Sequence, residues 1–459
     1  EFRQAVSTPP HETMSRSDAL AVLAGKDVAY AALSEPARRL LRLLSLSPEC
    51  FGRGAIAALL GPTVRRPLRS APRSPREVRR RARDAVFGPP TEWIDQLLGE
   101  LSGGRFVDGS GGRYQVRELL APQVRLHLLS DEPVRRRMGA QGRVMRHLAR
   151  QAARHAARLH APSTGGSGGD PMAWFALQHA LLHSLVVGEP RGPRVRRWRV
   201  HLAEALCAWY AVAWRLDEWA DVCEAILTTP GSAEHPRSAS WAHNQLGVVH
   251  RRRSELSDAK RELVLARSLR RGSRRGTAQV LTNEGLVLLA DDEVEPALQR
   301  LRLARDHRPA ANRPGRALTD MGLGVAQLAS GAVDDARRTF ASAANMFGEL
   351  EDPRGQGAAL TNLGLAQWRR GERYDAYQTW ELALEAYAEV DDAAGRAAAL
   401  LNLGAAHLLI EPHDADAALA RLSESERLWA GLGGRRISKN KTLVYKGDAL
   451  ALLGCEDEA

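Results

Sequence analysis

The sequence predicts a mainly α-helical protein, in which a small domain of three helices and a β-hairpin precedes a long stack of helical hairpins. Three observations support this fold class. A unit of 38 to 43 residues repeats through the C-terminal half, apolar residues recur at helical spacing inside each unit, and two strand-like runs flank a glycine-rich turn in the N-terminal half. The 459 residues suffice for about three domains.

Each repeated unit has a small residue on its first helix, an alanine twelve residues later and a small or apolar residue seven residues beyond that. The last unit is two residues longer in its turn, and a seventh unit starts at Gly447. Small residues let antiparallel helices approach closely, and only a neighbouring hairpin can cover the apolar face of each hairpin. We therefore predict a right-handed α-solenoid with a concave groove over residues 172–459. The six complete units carry Ala208/Ala220/Leu227, Gly247/Ala259/Ala266, Gly285/Ala297/Ala304, Gly324/Ala336/Ala343, Gly364/Ala376/Ala383 and Gly404/Ala418/Ser425.

Several short runs within these units resemble the tetratricopeptide repeat. They are Asn362-Leu363-Gly364 and Asn402-Leu403-Gly404 on first helices, and Tyr374-Asp375-Ala376-Tyr377 at the start of a second helix. The period exceeds the common 34 residues, and the extra residues fall in turns such as residues 349–355. This longer period and the turns of the type E-L-x-D-x-x-G resemble the sensor arrays of bacterial, actinobacterial-like signal-transduction ATPases with numerous domains (the STAND, or NB-ARC-type, class). The resemblance implies an array that binds a protein or peptide in its groove.

The small domain is predicted over residues 31–128, after an N-terminal segment, residues 1–30, that we assign to the end of an upstream domain. Ser34 is a capping residue for the first helix, and Pro36 lies in its first turn. Three helices followed by a hairpin are typical of a winged-helix domain. The predicted helices are residues 33–44, residues 54–60 and a third starting near Thr91, and the strands are residues 105–108 and 113–116, joined by the glycine-rich residues 109–112.

The same domain resembles the winged helix of the STAND class. Residues 33–44 match the family's L-x-x-x-A-R-R-L-x-R-x-L, and residues 113–120 match its R-Y-x-F-H-D-L-L in part. The family's histidine contacts the phosphates of the nucleotide, and its position is Arg117 here, so the resemblance implies a phosphate contact for Arg117. No G-x-x-x-x-G-K-[S/T] loop occurs in the chain. We therefore expect no cofactor here, with ATP or ADP bound only by a domain upstream of Glu1.

Positive charge is concentrated in the N-terminal part, where residues 1–200 contain 33 Lys and Arg against 17 Asp and Glu. The insertion at residues 62–90 alone has nine arginines. Two interpretations stay open for it: a solvated loop, or a surface for nucleic-acid phosphates or an acidic partner. A basic connecting helix follows at residues 129–160, and then a Gly- and Ser-rich linker at residues 161–171. The candidate contacts of the insertion are Arg65, Arg66, Arg69, Arg73, Arg76, Arg79, Arg80 and Arg81.

A winged helix can also bind DNA, but the predicted third helix is unsuited to this role. It carries Glu92, Asp95 and Glu100 and no basic residue, and DNA phosphates would repel these carboxylates. An interdomain module is therefore favoured over a specific DNA reader.

The groove is the candidate binding site. In the repeat family that the array resembles, the residue two before the glycine and the residue five after it point into the concave surface. Asparagine can bind a peptide main chain through both its donor and its acceptor. Alternatively, these asparagines bond neighbouring helices. The candidates are Asn283, Asn362 and Asn402, with Gln245 and Gly322 as departures, and Arg251, Arg252, Trp368 and Arg369 on the same wall.

We expect a cytoplasmic protein, because the sequence has no apolar run of membrane-spanning length and the four cysteines show no paired spacing. No catalytic or metal-binding motif is present, so we expect neither enzyme activity nor a metal site. The favoured function is the sensor part of a STAND-type regulator, in which the winged helix relays binding to an upstream ATPase through which the protein could also oligomerise. A stand-alone scaffold and a DNA-binding regulator are the alternatives.

Overall fold

The computed structural model describes residues 29–61, 91–159, 170–188, 193–228, 235–270, 274–431 and 436–453. The arginine-rich insertion, with its eight candidate arginines, lies outside the described residues, as do residues 1–28 and most of the predicted linker. The described residues form two compact units. The first holds the residues up to Gln151 together with Gln178–Leu202, and the second holds Ala152–Leu177 and the residues from Ala203 onward. The chain passes between the units three times, each time inside a helix.

The first unit contains the helices and the hairpin predicted from the sequence; their assignment as a winged helix stays a prediction. A third strand, β1, pairs antiparallel with β3, which gives the strand order β1-β3-β2. Two residues are too few for a periodicity signal, so the sequence did not reveal β1. The elements are α1 (Glu35–Leu44), β1 (Phe51–Gly52), α2 (Arg53–Leu60), α3 (Thr91–Gly103), β2 (Val107–Ser110), β3 (Arg113–Val116), a 3-10 turn (Glu118–Leu120), α4 (Ala121–Asp131) and α5 (Val134–Ala156).

The start of α1 is stabilised by two contacts of Ser34. Its hydroxyl accepts a hydrogen bond from the Ala37 N–H at 3.4 Å, as the capping prediction requires. The same hydroxyl donates to the carboxylate of Glu100 on α3 at 2.8 Å. One of the α3 carboxylates therefore ties α3 to the first helix.

The predicted basic helix starting near Ser130 is wrong at its beginning. Helix α4 ends at Asp131 and α5 begins at Val134, because Pro133 disfavours helical dihedrals at the residue before it. Glu132 is extended, with φ −100° and ψ 116°. Its carboxylate lies buried 3.0 Å from the guanidinium of Arg42 on α1. The break therefore places an ion-pair partner in the core of the first unit.

The second unit is a stack of antiparallel helical hairpins, which confirms the predicted α-solenoid of tetratricopeptide-type repeats. Buried clusters join the second helix of one hairpin to the first helix of the next, for example Trp380 to Leu403. None of the described helices has both the length and the apolar character needed to cross a membrane. The remaining helices are α6 (Pro171–Val187), α7 (Pro193–Ala213), α8 (Leu216–Leu227), α9 (Pro236–Arg252), α10 (Leu256–Ser268), α11 (Arg274–Ala290), α12 (Val294–His307), α13 (Arg313–Ala329), α14 (Val333–Glu349), α15 (Pro353–Arg370), α16 (Arg373–Ala388), α17 (Ala393–Leu409), α18 (Ala415–Gly431) and α19 (Arg436–Leu452).

The glycine of each repeat receives a large side chain from its own hairpin. A Cβ atom on Gly285 would lie 2.6 Å from Cγ of Leu301, and one on Gly324 would lie 2.6 Å from Cε1 of Phe340. In the five complete hairpins that carry this glycine, the large side chain comes four residues after the alanine of the repeated unit, and that alanine is fully buried. Close helix packing therefore depends on a glycine and a large residue acting as a pair. The large residues are Leu263, Leu301, Phe340, Trp380 and Leu422.

The long turns between repeats have a physical cause as well. Asp352 accepts a hydrogen bond from the Gly355 N–H at 3.0 Å and so caps α15, and Asp392 caps α17 through the Gly395 N–H at 3.1 Å. Gly395 lies against the ring of Tyr387 on the preceding helix, where a Cβ atom would clash. The aspartate of this turn therefore caps the next helix, and the glycine leaves room for an aromatic ring of the preceding helix.

Candidate functional site

Five hairpins have a repeat glycine on their first helix, and the same side of each of these first helices carries what we call the first-helix face. The five first helices are α9, α11, α13, α15 and α17. The first-helix face consists of the residues six and two before each repeat glycine and one and five after it, a spacing that places them on one side of a helix. Every member except Gly322 is at least partly exposed, and none is acidic. The members are Trp241, Gln245, Val248, Arg252, Gln279, Asn283, Leu286, Ala290, Leu318, Gly322, Val325, Ala329, Ala358, Asn362, Leu365, Arg369, Ala398, Asn402, Ala405 and Leu409.

The centre of the first-helix face is apolar. On α13, Leu318 is 58% exposed and Val325 is 37% exposed, and Gly322 lies between them. A Cβ atom on Gly322 would lie 3.2 Å from Leu286 of the preceding hairpin, so this glycine brings the two first helices close together. Neighbouring repeats carry asparagine at the position of Gly322. The centre is therefore a small apolar surface with amides on both sides.

Two of the predicted groove asparagines form hydrogen bonds within the array. Nδ2 of Asn283 donates to Oδ1 of Asn244 on the preceding first helix at 2.9 Å, and Nδ2 of Asn362 donates to the Ala358 carbonyl at 2.9 Å. Asn402 is half-buried at the same position on α17. One bond uses only part of the capacity of an amide, which has two N–H donors and an acceptor oxygen. Both interpretations of these asparagines therefore stay open.

The predicted groove arginines bond to the preceding hairpin. Arg252 donates to the Ala211 carbonyl at 2.7 Å, and Arg369 donates to the Leu328 carbonyl at 3.1 Å. Both carbonyls lie in the last turn of a first helix, where backbone oxygens have no partner inside the helix and the dipole favours a cation. The arginine five residues after the glycine therefore caps the previous repeat. The sequence pattern alone did not indicate this contact.

Two further groove candidates lie partly in the core. Trp368 packs against Trp380, with ring centroids 5.6 Å apart, and the guanidinium of Arg373 lies 5.1 Å from the Trp368 ring centroid. Burial lowers the pKa of the Arg251 guanidinium. Trp368 lies four residues after Gly364, one position away from the first-helix face. Its aromatic ring therefore contributes to packing between the two helices of its hairpin.

A buried carboxylate was missed in the sequence. Glu284 precedes Gly285 at a position that is leucine in the other complete glycine-containing units, and only 8% of the residue is exposed. Its carboxylate oxygens lie 3.3 Å from Arg267 and 3.3 Å from Arg300. Burial raises the pKa of this carboxyl, against the opposing effect of the two arginines. The triplet Asn283-Glu284-Gly285, where two other units have Asn-Leu-Gly, was the available signal.

The neighbouring repeat contains a second buried acid. Asp320 on α13 lies 3.2 Å from Arg305, and burial raises the pKa of its carboxyl against the effect of Arg305 and Arg316. The hydroxyls of Thr282 and Thr319 lie 3.0 Å apart, and Arg308 donates to both. The interior around α11 and α13 is therefore unusually polar.

Arg117 and one cluster of possible metal ligands are also placed by the structure, and the phosphate contact of Arg117 stays a prediction. The guanidinium of Arg117 pairs with Asp108 on β2 at 2.9 Å, so a phosphate would have to compete with this carboxylate. Within the described residues, one group has a geometry that could hold a metal ion: His250, Glu255 and Asp258, whose ligand atoms lie within 4.8 Å of one another. His250 already pairs with Glu255 at 2.6 Å. The contact between His250 and Glu255 therefore explains why these two side chains lie close together.

No family model matches the chain, and no curated protein matches it either. Several solved structures align with the chain at low identity. A Signal Transduction ATPase with Numerous Domains (STAND) protein with a tetratricopeptide repeat sensor, from Pyrococcus horikoshii, is 11% identical with a TM-score of 0.43, covering 93% of this chain. This chain spans 65% of the length of that protein. A Rap protein complexed with Competence and Sporulation Factor is 13% identical with a TM-score of 0.47, covering 74% of this chain and 94% of that one.

Proposed function

We propose that this chain is the sensor and protein-interaction part of a STAND-type signalling regulator, and that the array binds a protein or peptide along its first-helix face. The observation that carries the proposal is the apolar centre on α13, where Leu318 and Val325 are exposed beside Gly322. Exposed apolar surface rimmed by polar groups is a common mark of a binding site. The described array offers such a surface at its middle repeat, between repeats whose first helices carry amides.

The first-helix face suits an extended peptide with an apolar side chain. The apolar side chain would contact Leu318 and Val325, and the amides of Asn283 and Asn362 would bond the main chain on either side. The face has no acidic member, and Arg252 and Arg369 already donate to backbone carbonyls. A peptide with few charges near its apolar anchor therefore fits better than a strongly charged one.

In the same proposal, the winged-helix-like elements of the first unit relay binding to an ATPase domain. ATP or ADP would belong to that domain, and this chain itself would catalyse no reaction. A stand-alone scaffold without nucleotide control would use the same face. DNA recognition through α3 is not favoured, because this helix carries three carboxylates and no basic residue of its own.

A peptide library displayed on phage and selected against the whole chain tests the binding face. Leu318→Ser should weaken the selected peptides at least tenfold, since it removes the exposed apolar anchor. Leu382→Ser is the matched control, because Leu382 is 52% exposed but lies on the second helix α16. Melting temperatures show whether both variants fold. Equal affinity for the two variants would place the binding site elsewhere and overturn the proposal.

A further inference from the structure

A cavity lined only by residues of the first unit has the chemistry of a ligand site. Its volume is about 420 Å³, within the range of about 300 to 1,000 Å³ that small-molecule sites occupy. Four segments from three distant parts of the sequence form it: the loop after α1, helix α4 and the first turns of the consecutive helix α5, and the end of α6. All four belong to the first unit.

One wall of the cavity is apolar. Leu129 is 50% exposed and Val134 is 56% exposed. An apolar ligand that covered them would remove this surface from water, which is favourable at roughly 25 cal/mol per Å². The wall is made by Leu46, Leu128, Leu129, Val134, Met138 and Leu185.

The polar part of the cavity is positively charged. Arg125 and Arg137 line it, and none of its lining residues is acidic. Nη1 of Arg137 is buried and has no hydrogen-bond partner among the described residues. This nitrogen is therefore not committed to an acceptor of the protein. Val134, the first residue of α5, also lines the cavity and brings the positive end of that helix dipole beside it.

The serine hydroxyls at the cavity are largely committed to the protein. Ser45 donates to the Arg42 carbonyl at 2.7 Å and Ser184 donates to the Leu181 carbonyl at 3.0 Å. Ser47 accepts from the Glu49 N–H at 3.2 Å, and its hydroxyl lies 3.4 Å from that of Ser184. The loop is therefore held in place by its own bonds. Recognition of an anion falls to the two arginines.

We propose that this cavity binds a small amphipathic anion, with a carboxylate or phosphate head on Arg137 and Arg125 and an apolar body against the leucine wall. Guanidinium groups bind both heads through charge-assisted hydrogen bonds. A cavity made by the loop after α1 and by α4, α5 and α6 changes shape when these elements move, so its ligand would stabilise one arrangement of the first unit. This inference is independent of peptide binding by the array.

Calorimetric titration of the whole chain with decanoate, below its micelle concentration, tests the proposal. Decyl phosphate is the second anionic probe, 1-decanol has the apolar body without the charge, and acetate has the charge without the body. We expect decanoate or decyl phosphate to bind at least tenfold more tightly than decanol and acetate. The tighter of the two anions identifies the head group. Decanol binding as tightly as both anions, or binding by acetate alone, would overturn the proposal.

Two variants locate the site. Arg137→Gln should weaken the tighter anion at least tenfold, whereas Arg135→Gln should leave it unchanged, because Arg135 is exposed on the same helix and does not line the cavity. Met138→Trp should block binding by filling the cavity. Melting temperatures of the unliganded variants confirm folding. Unchanged affinity in both Arg137→Gln and Met138→Trp would show that the anion binds elsewhere, and Leu318→Ser should bind it normally.

Discussion

Two stretches of the array have the same fold but differ in their interiors. In α15 to α18, leucine precedes each repeat glycine, Trp380 fills the space above Gly364 and aspartates cap the first helices. In α11 to α13, the interior contains Glu284 and Asp320, whose carboxyl pKa values are both raised by burial. The repeat therefore tolerates buried charge where the small residues still allow close packing. The same polar stretch carries the exposed Leu318, so the proposed binding face lies on the part of the array that has buried carboxyl groups.

Trp380→Ala should have the largest effect, because it empties the interior of the apolar stretch. Trp380 is buried, and its Nε1–H donates to the Thr361 carbonyl at 3.1 Å. We expect the free energy of unfolding to fall by about 3 to 5 kcal/mol. Urea unfolding measures it, and Tyr374→Ala on the exposed side of the same helix is the control. A loss below 1 kcal/mol would show that the contrast between the stretches does not rest on this packing.

Exchanging the residues before the glycines tests the comparison directly. Glu284→Leu should stabilise the array by about 1 to 2 kcal/mol, because it removes a buried carboxylate while Arg267 and Arg300 stay accessible to water. The reciprocal Leu403→Glu should destabilise by about 3 kcal/mol, since Leu403 precedes Gly404 and is fully buried, so the new carboxylate would be buried. Urea unfolding of both variants measures the asymmetry. Destabilisation by Glu284→Leu would mean that the two ion pairs outweigh the cost of burial.

The pH dependence of Glu284 has a defined sign. Burial raises the folded-state pKa of this carboxyl above its ordinary value of 4.5, so the folded protein binds the proton more tightly than the unfolded chain. The contribution of Glu284 to stability is therefore greatest below pH 4.5 and falls as the pH rises through the raised pKa. Relative to the wild type, Glu284→Gln should gain in melting temperature as the pH increases from 4.5. A constant difference between pH 4.5 and 8 would contradict the raised pKa.

The asparagines should give the smallest effects and separate their two interpretations. Asn283→Ala should cost about 1 kcal/mol, because it removes the hydrogen bond to Asn244. Asn402→Ala should change stability by less than about 0.5 kcal/mol. The affinity of the phage-selected peptides is then measured for both variants. Weaker binding by Asn402→Ala without loss of stability supports a groove contact, whereas loss of stability alone supports a packing role.

Much of the fold follows from local sequence signals. The spacing of Gly247 and Ala259 fixes a hairpin because a Cβ atom on Gly247 would lie 3.4 Å from the Ala259 carbonyl oxygen, at one close helix contact. Ser34 and Asp352 mark helix starts because a cap satisfies N–H groups only two or three residues away. The interruption between α4 and α5 at Pro133 also has a local cause. The basic residues continue on both sides of Pro133, which led to the prediction of one continuous helix. Periodicity and short-range hydrogen bonds thus determine the helices, the hairpin and the order of the repeats.

The candidate sites depend on contacts between residues far apart in sequence. Arg252 caps a helix end 41 residues earlier at Ala211, and Glu284 has its partners on the two flanking second helices. The cavity beside Arg137 needs segments from three distant parts of the sequence, of which α6 comes last. By itself, the sequence determined which helices form and how they repeat, because those signals act within one turn or one hairpin. Only the tertiary structure decided which side chains are buried, paired or left exposed, because packing brings distant residues together.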